Sequence, residues 1–83
     1  MLLADGLDAA FLGVGRRGGQ KEVAVYSIPK AIDLLVTRDG MSAEDAEEYL
    51  EFNSIGAWVG DETPLWLESM DVETCVKVLE ENA

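Results

Sequence analysis

The sequence predicts an α+β fold: a small antiparallel three-stranded sheet with three helices packed against it, in the order β-β-α-α-β-α. Three observations carry that expectation. Two short runs containing β-branched residues flank a polar, glycine-rich loop, the pattern of a hairpin. Three later segments each place an apolar stripe at helical spacing behind a capping residue. At 83 residues the chain has room for one compact domain, spanning 1–83, and little material for a deep, walled pocket.

Residues Ala9 to Gly15 read as the first strand, with Ala10, Leu12 and Val14 alternating against Phe11, Gly13 and Gly15. The loop Arg16 to Lys21 follows, then a second strand from Glu22 to Tyr26 around Val23 and Val25. Ser27 is placed to cap a helix that tolerates Pro29 in its first turn and carries Ile28, Ala31, Ile32 and Leu35 at i, i+3, i+4 and i+7. Gly40 supplies its left-handed end. Ser42 with Asp45 then resembles a capping box, with Met41 stapled to Ala46, and Ala46, Tyr49, Leu50 and Asn53 mark the second helix. So short a connection makes the two helices packed neighbours. Ser54 to Glu62 is irregular. Thr63 to Glu68, opened by Pro64, is the third strand. Asp71 caps a last helix striped by Val72, Cys75, Val76 and Leu79.

Charge divides the chain at Gly40. The first forty residues hold five cations and five anions; the remaining forty-three hold Lys77 against twelve carboxylates, so the whole net charge of −11 lies in residues 41–83. Such a balance weighs against direct contact with nucleic acid or anionic membranes, both of which require a positive footprint. The chain has no histidine, which removes histidine triads, general bases and metal ligands together. Cys75 stands alone, forms no internal disulfide and suits a reducing cytoplasm. Neither a membrane span nor a signal peptide is expected from the apolar runs or the acidic start MLLADGLD.

Gly13-Val14-Gly15-Arg16-Arg17-Gly18 fits G-x-G-x-x-G, but a dinucleotide site needs a helix N-terminus after the glycines, and here a second strand follows. Arg16, Arg17 and Lys21 form a cationic loop tip, expected as a secondary contact at most. The densest signal is Glu44, Asp45, Glu47, Glu48 and Glu51. These are five carboxylates within about 12 Å of helix rise with no lysine or arginine among them. Together with Asp61 and Glu62 they form the expected partner-binding set, with Trp58 as an apolar anchor, although burial is the simpler expectation for that indole. Trp66 and Cys75 read as core. No paired carboxylates carry an EF-hand spacing or a lysine partner, so no catalytic residue, metal site or cofactor is expected.

One further pattern is present. Asp5-Gly6-Leu7-Asp8, Gly13, Gly15 and Val23-Ala24-Val25-Tyr26 are followed by Gly40-Met41-Ser42, Glu44, Ala46, Glu48-Tyr49 and Glu51-Phe52-Asn53, then by Gly56-Ala57-Trp58-Val59-Gly60 and Thr63-Pro64. Over about residues 5 to 67 this resembles a group of small acidic proteins encoded by bacteriophages and prophages. The resemblance implies phage origin, action in the cytoplasm of an infected bacterium and a small α+β fold, and it carries over no catalytic residue. The acidic helix Asp71 to Glu81 departs from the group.

Small phage proteins often act by occupying a host protein's surface, anti-CRISPR proteins being the best-known class. That analogy makes the leading expectation a non-enzymatic inhibitor of a host defence complex, foremost a CRISPR–Cas effector. Its acidic surface would fill a basic nucleic-acid-binding groove. The alternative is a phage accessory or structural protein that self-assembles or binds virion components.

Overall fold

A computed structural model describes residues 1–82. Its sheet has the strand order β1 (Phe11–Gly15), β2 (Val23–Ser27) and β3 (Leu65–Leu67). The helices are α1 (Ile28–Asp39), α2 (Ala43–Leu50) and α3 (Val72–Glu81), so the class and the order β-β-α-α-β-α are those the sequence predicts. The first strand starts two residues later than expected. Asp8–Ala10 forms a 3-10 turn closed by the Ala10 N–H donating to the Leu7 carbonyl at 2.9 Å, which drives Ala10 into the core.

The sheet is mixed, not antiparallel. β1 and β2 form the expected antiparallel hairpin, with an irregularity between Phe11 and Gly13. β3 instead runs parallel to β2, pairing Val25 with Leu65, Tyr26 with Trp66 and Ser27 with Leu67. Parallel neighbours need a long crossover, and the chain supplies one in α1, α2 and the stretch to Pro64. The helix pair leads out and back, and residues 56–64 then return to the end of the sheet where β2 begins.

Local chemistry explains α1 and α2. Ser27 Oγ accepts the Lys30 N–H at 3.2 Å, Pro29 sits in the first turn where no amide is needed, and Gly40 closes α1 at φ 70°. Ser42 Oγ likewise accepts the Asp45 N–H at 3.1 Å. Past Leu50 the α-helix does not run on to Asn53 as the stripe suggested. Glu51–Ile55 widens into a π-helical turn, with the Gly56 N–H donating to the Glu51 carbonyl at 2.9 Å. A Cβ on residue 56 would lie 2.6 Å from that carbonyl oxygen, so the turn requires glycine.

The core is small: Leu7, Ala10, Ala24, Tyr26, Ala31, Leu35, Ala46 and Leu50. Four of these are alanines, which let the helices approach the sheet closely. Tyr26 is the centre. Its ring meets Phe11 edge-on at 5.5 Å and stacks on Trp66 at 5.3 Å, while its hydroxyl accepts the Ala4 N–H at 2.8 Å and ties down the N-terminal segment. Trp66 packs against this core as expected.

α3 departs from the expectation that all three helices pack on the sheet. It forms where predicted, capped by Asp71, whose Oδ1 accepts the Thr74 N–H at 2.7 Å. Yet none of its residues is buried: Val72 is 79% exposed and Leu79 65%, and Cys75 is half-buried and not a core thiol. Its connection, residues 68–71, leaves a three-residue edge strand and is exposed throughout. The radius of gyration, 13.8 Å, exceeds the roughly 12 Å of a compact domain this long.

Candidate functional site

Ala46 and Leu50 are fully buried and define the inward face of α2. At 100° per residue, Glu44, Glu48 and Glu51 then fall on the opposite face, Glu47 turns toward α1, and Asp45 lies on the far flank. All five are exposed, and among the described residues none is in an ion pair. Glu44, Glu48 and Glu51 therefore form the ridge, with Glu47 and Asp45 on its two flanks. Glu44 and Asp45 gain from the helix N-terminus, whereas Glu51, the residue that follows the last of the α-helix, gains nothing from it.

Tertiary packing adds two acids that the sequence pattern did not single out. Between α1 and α2 runs a groove of about 550 Å³ whose floor is Ile32, Val36, Leu50 and Ile55. Glu47 and Glu51 line one side, and Asp33 and Glu68 complete a rim with no cation in it. Asp33 comes from α1 and Glu68 from the end of β3, so only the folded chain brings them beside the ridge. No periodic signal could have shown it. Among the described residues no three Cys, Asp or Glu side chains are placed to hold a metal ion.

Trp58, Asp61 and Glu62 are not part of this surface. Trp58 is 74% exposed, against the simpler expectation of burial. It shares a groove of about 680 Å³ with Arg16, Arg17, Lys21 and Asp61, so the structure joins the loop tip to the candidate anchor. Of its cations, Arg16 pairs with Glu22 at 3.1 Å, while Arg17 and Lys21 are in no ion pair among the described residues. Glu62 is engaged elsewhere. Its carboxylate accepts the N-terminal ammonium at 2.8 Å, and that hydrogen bond, then the ammonium's charge, then Lys21, hold it below the usual glutamate range. The glycines of the loop lead into β2 and not into a helix, so the phosphate-cradling geometry of G-x-G-x-x-G is not formed.

A third cleft, of about 520 Å³, opens between the N-terminal segment and α2, with Leu7, Leu35 and Trp66 in its wall. Tyr49 and Asn53, expected on the inward stripe, are exposed and line this cleft. Arg38 borders it, donating from Nη1 to the Gly6 carbonyl at 2.6 Å and gripping Asp39 through Nε and Nη2 at 2.9 and 3.0 Å. The paired hydrogen bonds from Arg38 pull the Asp39 carboxyl below its ordinary value. The Trp66 Nε1–H is buried without a hydrogen-bond partner. No helix among the described residues is long and apolar enough to cross a membrane. Comparison with protein-family models, curated proteins and solved structures found no match for this chain.

Proposed function

We propose that the chain is a non-catalytic binding protein that presses the carboxylate ridge of α2 into a cation-lined groove of another protein and so displaces nucleic acid from it. One observation carries the reading: Glu44, Glu48 and Glu51 share the face opposite the core, exposed and in no ion pair among the described residues. Like charges at these spacings weaken a helix, so the arrangement is costly unless a complementary surface meets it. The Asp33, Glu47, Glu51 and Glu68 rim extends the negative surface, and its apolar floor admits a side chain between the charges. Association would be steered by charge, fast and salt-sensitive. The resemblance to phage proteins makes a CRISPR–Cas effector the first target to test.

The test is displacement of labelled DNA from a purified effector complex. Wild-type chain is expected to compete, less well as salt rises. Glu44→Lys/Glu48→Lys/Glu51→Lys, all on an exposed face and so compatible with folding, is expected to lose competition. Undiminished displacement by that variant would sink the reading. A second reading, a self-assembling accessory protein, is favoured by the uncovered apolar face of α3; light scattering separates it from a monomeric competitor.

A further inference from the structure

We infer that α3 is an intermolecular arm: the α3 of one copy docks in the basic groove of a second copy, and the second copy's α3 docks in return. The inference rests on the self-assembly reading and owes nothing to the α2 ridge. Two unsatisfied surfaces of the same chain match each other. The stripe Val72, Cys75, Val76 and Leu79 carries Glu73 and Glu80 along one flank, two turns apart and about 10 Å along the axis. The groove offers an apolar bed in Val23, Pro64 and Leu65, with Trp58 standing exposed at its side; Arg17 and Lys21, in no ion pair among the described residues, outnumber its one acid, Asp61. It is the richest in cations of the three clefts, and α3 lines none of them.

The surface area agrees. A folded monomer of this mass exposes about 4,900 Å², whereas this chain exposes 6113 Å². The surplus is on the order of 1,200 Å² per copy, and a stable pair buries about 1,200–2,000 Å² in total, so half the surplus from each partner is enough. Because the exchange is reciprocal, it is isologous and closes at two copies, whereas an arm passed on to a third chain would build a ring or a filament.

The full chain is examined by light scattering across a concentration series, with two double reversals. The wild type is expected to reach twice the 9.0 kDa chain mass. Glu73→Lys/Glu80→Lys and Arg17→Glu/Lys21→Glu, all exposed positions, should each weaken dimerisation at least about tenfold. Mixing them should restore it, because the mixed pair sets a cationic arm in an acidic groove and a native arm in a native groove. Trp58 fluorescence should shift to the blue on dimerisation, as the exposed indole is covered. Three results overturn the inference: a wild type that stays monomeric at about millimolar concentration, a dimer unmoved by both reversals, or a Trp58 shift independent of concentration, which would place the arm in its own groove.

Discussion

α1 and α3 share one sequence plan, a cap followed by an apolar stripe, and are opposites in the structure. Each opens with a side-chain oxygen capping the third amide beyond it, Ser27 to Lys30 and Asp71 to Thr74, and each carries an apolar stripe. α1 buries Ala31 completely and leaves Leu35 2% exposed; α3 buries nothing. The difference lies in what each is tied to. α1 leaves the central strand with no linker and turns at Gly40 straight into α2, so a sheet and a second helix close over its stripe. α3 hangs from a three-residue edge strand by a four-residue connection. Periodicity reports that a helix has a face; only the connections decide what covers it.

Truncating one leucine on each helix tests that contrast most severely. Leu35→Ala leaves a cavity in a core that has few large side chains and should cost about 2–5 kcal/mol in denaturant unfolding. Leu79→Ala, at dilutions where the chain is monomeric, should stay within about 0.5 kcal/mol of wild type. Comparable losses at the two sites would show α3 packed in solution and break the comparison. The caps give a smaller effect. Ser27→Ala should lower global stability by about 1 kcal/mol, because α1 unfolds only with the core. Asp71→Ala should leave the global midpoint in place and reduce helical circular dichroism alone, since the segment opens on its own.

The same contrast marks how far the sequence could be read. Element order, the caps of all three helices and the Gly40 stop depend on neighbours within a few residues, and they stand as expected. The direction of β3 depends on where residues 56–64 carry the chain, and no local pattern encodes that path. Gly56 was visible as a loop glycine, but its need to clear the Glu51 carbonyl appears only once the π-helical turn exists. The ridge of Glu44, Glu48 and Glu51 was legible because one helix holds it; the contributions of Asp33 and Glu68 were not, because two other elements bring them. Trp58 illustrates the reverse error. A large indole is a burial signal on average, yet here it stands against solvent beside the cationic loop.

Acid gives the subtlest separation of the two helices, because only one cap titrates. The Thr74 hydroxyl beside the Asp71 carboxylate, and the Thr74 amide that donates to it, hold its pKa below the usual aspartate value. A group depressed in the folded state contributes above its unfolded pKa, about 3.9 for aspartate, and that contribution is lost as pH falls through the folded value. Lowering the pH below about 4 should therefore reduce the protection factors at Thr74 and Cys75, each exchange rate being referred to the unstructured rate at the same pH, before it touches Ala31 or Leu35, which stand behind the hydroxyl of Ser27. Asp71→Asn retains a competent cap without the titrating proton, so it should remove the pH dependence and keep the helix. A Thr74 protection factor that falls equally with pH in that variant would locate the acid response elsewhere in the chain, and a loss shared by Ala31 and Leu35 at the same pH would deny α3 the independence from the core that sets it apart from α1.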